Sequence, residues 1–274
     1  MKSVTINEAK CVSCAVCAKV CPLFIIDCEK GQGLARVNPE KRDFCIGCGQ
    51  CETFCPQEAI TVEFEDAKPY AGSPGKQPIS QDQITYHMLN RRSVRTYKKT
   101  PVAKETLEKL MEIVRFAPTG ENAQEVSWIL VHDTKKLTEL IEITVKWVKD
   151  NASTLVDHPM WQLFSYILSG WDIGNDIIFR GAPHLAIAHG PISGLSVPTD
   201  AVIAMTYLEL AAPTFGIGTC WDGIFQILTT TCPELLKRIN LPDDHAVFAA
   251  LMLGYPEFKA LRIPKRKAPK VRWI

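Results

Sequence analysis

The spacing of apolar residues predicts alternating helices and strands through most of the chain after residue 80. Apolar side chains recur every three or four positions in 104–116 and in 137–149, the pattern of helices with one buried face. Pro118 follows the first stripe and ends that helix. Three shorter apolar segments predict strands, and the last is continuous enough for a buried central strand: 127–132, 183–189 and 246–253.

Further segments extend this pattern in both directions. A short helix is predicted at 83–89, and an apolar helix at 201–213 has Asp200 in the position of an N-cap. Near the N-terminus, 3–6 and 59–64 predict short strands. No apolar run reaches the length of a membrane span, so we expect no membrane segment. The mixture of helices and strands predicts an α+β protein.

Composition divides the chain into two parts. Nine of the eleven cysteines lie before residue 56, whereas prolines and glycines concentrate in 66–78, which is typical of a linker. We therefore predict a small domain at 1–66, a linker at 67–83 and a larger domain at 84–274. The formal net charge is +1, which gives no indication of binding to nucleic acid or to a membrane surface.

The cysteines of the first part repeat one spacing, and this repeat is the strongest chemical signal in the sequence. Each copy reads C-x2-C-x2-C-x3-C-P, the arrangement that ligates two [4Fe–4S] clusters. Three closely spaced thiolates surround one cluster, and the fourth cysteine of each run reaches the other cluster. The predicted ligand sets are Cys11, Cys14, Cys17 and Cys55 for the first cluster, and Cys45, Cys48, Cys51 and Cys21 for the second.

Disulfides and zinc sites are the alternative uses of such cysteines. A disulfide framework is disfavoured because no secretory signal opens the chain, and zinc ribbons use C-x2-C pairs rather than a repeated tetrad with its proline. Cys28 lies outside the repeat and is expected to fill space rather than to bind iron. Thiolate-bound clusters are best kept in reducing surroundings, so we expect a cytoplasmic protein of an anaerobe or of low-oxygen conditions.

Four motifs in the second part carry groups suited to a flavin. Arginine forks match phosphate oxygens, amides can bond the flavin pyrimidine edge or its polyol, and glycines let a backbone approach a flat ligand. Taken singly, such motifs are usually solvated surface or ordinary loop. No G-x-G-x-x-G occurs, so a separate Rossmann domain is not expected. In chain order the motifs are Asn90-Arg91-Arg92-Ser93-Val94-Arg95-Thr96-Tyr97, Ala117-Pro118-Thr119-Gly120-Glu121-Asn122-Ala123-Gln124, Phe215-Gly216-Ile217-Gly218-Thr219-Cys220-Trp221-Asp222-Gly223, and Leu253-Gly254-Tyr255-Pro256 followed by Arg262-Ile263-Pro264-Lys265-Arg266-Lys267.

In this order and spacing the four motifs resemble the nitroreductase family of FMN flavoproteins, over about residues 84–274. The whole chain resembles family members that are fused to a ferredoxin. The resemblance implies a bacterial-type ferredoxin fold followed by a nitroreductase-like α+β domain, whose central, mainly antiparallel sheet is surrounded by helices. It also implies a homodimer with FMN bound at the subunit interface.

The resemblance further assigns FMN-binding roles to residues of the motifs. The phosphate and ribityl end would be held by Arg91, Arg92, Ser93 and Arg95, with Arg262 closing on the phosphate. The isoalloxazine or ribityl oxygens would be reached by Asn122 and Gln124. The reactive flavin nitrogen would lie beside the backbone of Cys220, Trp221, Asp222 and Gly223. Many family members have a basic residue where this chain has Ala260, and Lys259 or Arg266 would take its place.

Together these features predict an FMN-dependent oxidoreductase. A donor such as reduced ferredoxin or NAD(P)H would supply electrons through the clusters to FMN, which would reduce a small nitroaromatic, quinone or activated unsaturated compound. Two alternatives are an electron-transfer module serving a protein partner and a flavin reductase that couples ferredoxin to NAD(P)H. No catalytic side chain is assigned, because flavin and water can supply the protons.

Several residues of the second part have either a functional or a structural role. His158, His184 and His189 are either proton donors or structural histidines. The aromatic-rich segment 147–179 either covers the flavin or packs in the core or the dimer interface. Cys220 is either a redox-active thiol or a contributor of backbone contacts, and we expect the latter.

Overall fold

The computed structural model describes residues 2–70, 72, 75 and 77–274. The chain divides into two compact units. One unit comprises Met1–Pro74 together with Thr119–Gln124, and the other comprises Gly75–Pro118 together with Glu125–Ile274. Residues 71, 73, 74 and 76 of the predicted linker lie outside the described residues.

The first unit is built from short strands and short helices. Strand β1 pairs with β4, and β2 pairs with β3, both antiparallel. The strand expected at 3–6 is present with those bounds, and the one expected at 59–64 is one residue shorter at each end. In chain order the elements are β1 (Ser3–Ile6), α1 (Val16–Val20), β2 (Ile26–Glu29), β3 (Gln32–Val37), α2 (Gln50–Thr53) and β4 (Ile60–Glu63).

The cysteine repeat is also a repeat of backbone conformation. Left-handed residues lie before and after α1 and α2 at equivalent places, and each is separated from its counterpart by 34 positions, as Cys11 is from Cys45. Such residues turn the chain sharply, which lets three cysteines of one loop line a common cavity. The matched left-handed pairs are Ser13 and Gly47, Ala15 and Gly49, and Phe24 and Glu58.

The second unit contains a four-stranded antiparallel sheet in the order β5-β6-β8-β7. This confirms the mainly antiparallel sheet implied by the resemblance, and β8 is a central strand as its continuous apolar sequence predicted. The strand bounds are β5 (Ser127–Val131), β6 (His184–Pro191), β7 (Gly218–Trp221) and β8 (His245–Gly254).

Helices cover both faces of this sheet. In β6, Leu185 and Ile187 belong to one buried cluster, whereas Ala186 and Ala188 belong to the other, on the opposite face. The first cluster is packed by α5, α7, α9 and α10, and the second by α4 and α8. The helices are α3 (Gln81–Asn90), α4 (Lys104–Val114), α5 (Thr134–Asp150), α6 (Ala152–Leu155), α7 (Trp161–Asp172), α8 (Val197–Ala211), α9 (Gly223–Thr231) and α10 (Pro233–Ile239).

No helix in the described ranges is long and apolar enough to cross a membrane.

The predicted start of α8 was wrong. The helix begins at Val197, with Ser196 at the N-cap, and Asp200 lies in its first turn rather than at the cap. A proline in the first turn preorganises the helix start, and an acidic residue there is favoured by the helix dipole. Asp200 accepts a hydrogen bond from Ser196 Oγ at 2.8 Å. Asp200 therefore supports the helix start from inside the helix.

Helix α3 begins two residues earlier than predicted, for a reason that the sequence contains. Ser80 accepts a hydrogen bond from the backbone N–H of Gln83, and the Gln83 side chain accepts one from the backbone N–H of Ser80. This is a capping box, whose S-x-x-Q signature marks the helix start. The prediction of 83–89 overlooked this signal.

Two of the three candidate proton-donating histidines are buried within the sheet unit. His184 lies between the backbone N–H of Val102, which donates to Nε2 at 2.8 Å, and the carbonyl of His132, 2.8 Å from Nδ1. Nδ1 therefore carries the proton, and the ring is neutral. Burial lowers the pKa of His184 to about 4. His189, 2.8 Å from His245 through their Nδ1 atoms, also has a pKa lowered by burial.

We expect the His184 ring to make stability fall with acidity between about pH 6.5 and pH 4. The unfolded ring binds a proton in this window while the folded ring does not, so unfolding takes up a proton. The loss is about 3 kcal/mol when integrated over the window. His184→Asn keeps a donor but does not titrate. The thermal midpoint of the variant should therefore depend less on pH than that of the wild type, and parallel pH profiles would contradict this assignment.

Candidate cofactor sites

Two cavities in the first unit are lined by separate groups of cysteines. The first cavity is lined by Cys11, Cys14, Cys17 and Cys55, together with Cys28. The second cavity is lined by Cys21, Cys45, Cys48 and Cys51. Each group combines three cysteines of one run with the fourth cysteine of the other run, which is the grouping expected for crossed ligation. The binding of iron by these residues stays a prediction.

The fourth cysteine of each run accepts a hydrogen bond from a backbone N–H at the equivalent position of the repeat. The N–H of Ile25 donates to Cys21 Sγ at 3.5 Å, and the N–H of Ala59 donates to Cys55 Sγ at 3.2 Å. These donors are again 34 positions apart. Hydrogen bonds to sulfur favour the thiolate, which is the form that binds metal. The local fold therefore prepares both sulfurs as ligands in the same way.

Burial makes the free thiolates costly in these cavities. It raises the pKa of Cys51 to about 11 and also raises the pKa of Cys17 above its usual value, with Cys28 the next contributor for Cys17. Bound iron would offset this cost, because metal ligation deprotonates a thiol. All eleven cysteines, each in the described part of the chain, are free thiols.

The cysteine-lined cavities are compatible with the four-thiolate ligation of a cubane. Among the described residues, no three cysteine, histidine or acidic side chains converge on one point as they would around a single metal ion. A cubane instead presents a separate iron at each corner, so its four thiolates stand apart around a cavity. Soft sulfur ligands also suit iron–sulfur clusters. The residues present therefore fit the predicted clusters.

In the second unit, the arginine motif lies along the edge of the sheet. Ser93 forms a parallel bridge with Thr219 of β7, and the N–H of Val94 donates to the Thr219 carbonyl at 2.8 Å. Gly218 makes this approach possible, since a Cβ there would stand 2.6 Å from Cγ2 of Val94. The first and third motifs thus meet through backbone hydrogen bonding at a glycine.

The fourth motif joins the same edge. Tyr97 forms a bridge with Pro256, and the N–H of Lys98 donates to the Tyr255 carbonyl at 2.8 Å. Gly254 is required here, because a Cβ would lie 2.5 Å from the Pro183 ring. Three motifs that are distant in the sequence are therefore adjacent in the structure.

A cleft of about 580 Å³ opens beside these joined segments. Its walls combine backbone from glycine-rich β7 with cationic side chains from the arginine motif. The lining includes Arg91, Arg92, Ser93, Arg95, Gly216, Gly218, Thr219, Pro256, Lys259 and Ala260.

The arginines of the cleft differ in how their charge is compensated. Arg91 forms an ion pair with Glu209 of α8, with 3.0 Å between Nη1 and Oε1 and only 10% of the Glu209 side chain exposed. Arg92 instead donates to the carbonyls of Leu89 and Asn90. Arg95 donates to the Ser93 carbonyl at 3.4 Å. Carbonyls do not cancel a full charge, so Arg92 and Arg95 leave the cleft cationic and suited to an anionic group such as a phosphate.

Three residues with predicted FMN roles are not among the residues that line this cleft. Asn122 belongs to the first unit, where its side-chain amide donates to the carbonyls of Ile46 and Gly47 at 3.2 and 3.1 Å. The Gln124 side chain is exposed, as is Arg262 in the C-terminal segment. Their roles toward FMN stay predictions.

The end of the cleft strand β7 is mostly buried. Burial raises the pKa of the Cys220 thiol, and nearby Arg95 only opposes this shift. The raised pKa favours the protonated thiol over the thiolate. Trp221 is half-buried and packs on the other face of β7, against the cluster that contains α8. Neither side chain is among those that line the cleft.

Asp222 is a buried acid whose role the sequence analysis missed. Its Oδ1 caps α9 by accepting the N–H of Phe225 at 2.9 Å, while Oδ2 is buried and has no hydrogen-bond partner among the described residues. Burial raises the pKa of Asp222 to about 7, and nearby Asp176 raises it further while Arg180 opposes the shift. The D-G-I-F sequence did indicate an N-cap, but only the fold removes this carboxyl from water.

The aromatic-rich segment contributes mainly to the core. Phe164 and Phe179 are fully buried, and Trp147 packs edge-on against Phe164 with ring centroids 5.9 Å apart. His158, the third candidate proton donor, accepts the backbone N–H of Met160 through Nδ1 at 3.0 Å. These side chains are not among those lining the cleft, so the packing interpretation describes them.

Two sequence profiles match the chain. The Nitroreductase family profile matches residues 88–255, and the 4Fe-4S binding domain profile matches residues 41–61, which contain the second cysteine run.

Individual relatives agree with these two matches. The FMN reductase (NAD(P)H) of Bacillus subtilis (strain 168) is 26% identical over 186 residues, covering 67% of this chain and 70% of that protein. Ferredoxin-1 of Caulobacter vibrioides is 41% identical over 59 residues, covering 20% of this chain and 47% of that protein. A solved nitroreductase with bound FMN from Bacteroides fragilis shares 25% identity at a TM-score of 0.57, covering 70% of this chain and 98% of that one.

We expect Asp222→Asn to stabilise the protein increasingly as the pH rises from about 4 to about 7. Over this window the unfolded carboxyl loses its proton while the folded one retains it, so the wild type loses stability as pH rises. The shift is worth about 4 kcal/mol at most, and asparagine preserves the helix cap. Unfolding midpoints of wild type and variant, at matched cofactor content, should diverge between pH 4.5 and 7.5. A constant difference between them would show that the folded carboxyl titrates like the unfolded one, which would contradict the raised pKa of Asp222.

Proposed function

Because this chain belongs to the nitroreductase family and carries a 4Fe–4S binding motif before the family domain, we propose that it conducts electrons from an external donor to FMN. The route runs through two [4Fe–4S] clusters held by the cysteine cavities. The enzyme is an FMN-dependent oxidoreductase, and its acceptor is a small nitroaromatic, quinone or activated unsaturated compound. The proposed organisation is a ferredoxin-like domain at 1–66, a linker at 67–83 and an FMN-binding domain at 84–274.

The observation that carries this proposal is the presence, in one chain, of two cysteine-lined cavities and a cationic cleft on the nitroreductase fold. When bound, the clusters transfer single electrons and FMN converts between one- and two-electron chemistry. The protein supplies position and electrostatics. Backbone at Gly218 and Thr219 forms a wall that a flat ligand can approach closely.

In the proposed FMN site, the cationic residues have different roles. Arg92 and Arg95 bind the phosphate, because their guanidinium charges are not cancelled by an acid in the described structure. Arg91 orders the wall of the cleft through Glu209 as well as facing the ligand. The contacts proposed for Ser93, Asn122, Gln124, Arg262 and the backbone of 220–223 follow the family pattern.

We also propose a cytoplasmic homodimer in which a second subunit completes each FMN site. Exposed apolar side chains on α3 and α8 favour such an interface, because a large exposed apolar surface is unusual on a monomer. They include Tyr86, Met88, Leu89, Val202 and Tyr207.

Reduced ferredoxin and NAD(P)H are both suitable donors. The similarity to an FMN reductase that uses NAD(P)H favours, as a second candidate function, direct reduction of the flavin by nicotinamide. Electron delivery to a protein partner would be the outcome if no small acceptor reoxidises the reduced protein.

Cofactor content and turnover test the proposed function together. Protein purified without oxygen should contain about eight iron, eight sulfide and one FMN per chain. After reduction by ferredoxin or NAD(P)H, it should be reoxidised by a nitroaromatic or a quinone under anaerobic conditions. Failure with every small acceptor would overturn the reductase function.

Cys55→Ala tests the electron path within this experiment. The variant should keep FMN, lose about half of its iron, and lose at least tenfold in turnover driven by reduced ferredoxin, because the first cluster lacks a ligand. Cys232→Ala is the control, since Cys232 is a buried cysteine outside both cavities. Unchanged ferredoxin-driven turnover in an iron-depleted Cys55→Ala protein would exclude a route through this cluster.

Arginine variants test the proposed phosphate site. Arg92→Ala and Arg95→Ala should each weaken FMN binding about tenfold to hundredfold, because a hydrogen bond to a charged group contributes about 1.5–3 kcal/mol. Arg238→Ala is the control, since this arginine pairs with Glu139 and is absent from the cleft lining. FMN dissociation constants from fluorescence titration give the measurement. Wild-type affinity in both cleft variants would place the phosphate elsewhere.

A further inference from the structure

A fifth cysteine lines the first cavity, and the proposed function does not use it. Cys28 lies on β2, is half-buried, and shares the cavity wall with the four cysteines of the first group. The register between β2 and β3 shifts around it, between Asp27 and Glu29. Such irregularities re-aim a side chain relative to a regular ladder. Cys28 therefore lies at an irregular point of the strand pairing and lines the cavity.

The internal repeat identifies the residue that corresponds to Cys28 in the second cavity. The repeat of 34 positions relates Cys28 to Val62, and β2 and β4 have the same pattern of burial along their four residues. Val62 lines the second cavity as Cys28 lines the first. The two cavities thus have corresponding wall positions, and at this one the first cavity has a thiol and the second has a hydrocarbon.

This difference matters chemically for an iron–sulfur cluster. A thiol is a weak hydrogen-bond donor, whereas the valine side chain cannot donate. Hydrogen bonds to cluster sulfurs are among the factors that set the reduction potential. A donor stabilises the reduced cluster more than the oxidised one, because reduction adds negative charge to the sulfurs. A donor present in one cavity alone would therefore separate the two potentials.

We propose that Cys28 is a potential-setting residue that binds no iron and raises the reduction potential of the first cluster above that of the second. The S–H group donates to a cluster sulfur, so the first electron to enter the pair resides mainly on the cluster held by Cys11, Cys14, Cys17 and Cys55. The proposal rests on the proposed function, because it requires both clusters. It gives the pair of clusters a direction.

The second cavity, which has four cysteines, explains why Cys28 is not assigned as a ligand in the first. The second cavity has its full set of four cysteines with Val62 at the equivalent wall position, so the repeat leaves no vacancy for a fifth sulfur. A cubane likewise takes four thiolates.

Three variants of the full-length protein test the proposal. Cys28→Val makes the two walls alike, Cys28→Ser keeps a hydrogen-bond donor, and Val62→Cys introduces a thiol into the second cavity. Each protein is purified without oxygen, its iron and sulfide are measured, and the two cluster potentials are determined by redox titration followed by electron paramagnetic resonance. Iron content separates a failure of the proposed function from a failure of this inference.

In the wild type, the two potentials should differ. Cys28→Val should lower the higher potential and change the partition of one electron between the clusters by about tenfold, or about 59 mV, while leaving the other potential in place. Cys28→Ser should retain most of the separation. Val62→Cys should raise the lower potential and reduce the separation.

Three other results would overturn the proposal. Two clusters per chain with potentials that Cys28→Val leaves unchanged would overturn the role of Cys28. Loss of about four iron in Cys28→Val would make Cys28 a ligand and would equally overturn the proposal. A wild type that cannot hold about eight iron would overturn the proposed function, and this inference with it.

Discussion

The pairing of β6 with β8 is the interaction on which the second unit depends. Both strands are buried on both faces, so their backbone groups must be satisfied within the sheet and their side chains must fill two cores. Helices α4 and α8 close one core, and α5, α7, α9 and α10 close the other. Once these layers are set, β7 remains at the edge of the sheet with backbone groups available to another segment.

The candidate flavin cleft is a consequence of that available edge. Residues 93 and 94 take up the hydrogen-bonding capacity of Thr219, and their arrival places the arginine motif beside a glycine-rich strand. Gly218 and Gly254 permit contacts that any larger residue would block. The same strand leads directly into α9 through Asp222, a buried acid whose Oδ2 has no hydrogen-bond partner among the described residues. Backbone geometry, more than any single side chain, therefore defines the site.

The first unit obeys a different constraint. It is too small to rest on a large apolar core, and a substantial share of its buried side chains are cysteines. Burial disfavours their thiolates, so we expect metal binding and folding to be coupled in this unit. The backbone repeats its left-handed turns and its N–H to sulfur hydrogen bonds at matching positions. Against this background of symmetry, the replacement of valine by cysteine at position 28 is a specific chemical difference.

The sequence by itself determined the chemistry and most of the elements. The cysteine spacing indicated two clusters, hydrophobic periodicity located α4, α5 and β8, and four motifs in order indicated the nitroreductase family. These signals are local, because ligand spacing, helical periodicity and turn chemistry act over a few residues. The start of α8 was misplaced because two adjacent local features, Ser196 and Asp200, both favour a cap, and a sequence pattern does not rank them.

Only the tertiary structure decided which distant groups meet and which charges are compensated. It paired Arg91 with Glu209, more than a hundred positions away, and left Arg92 and Arg95 facing the cleft. It buried His184 as a neutral ring, enclosed Asp222, and brought Cys28 to the wall of the first cavity. Burial and long-range pairing depend on how separate elements pack together, and the free energy of a charge depends on its surroundings, so neither can be determined from residue order alone.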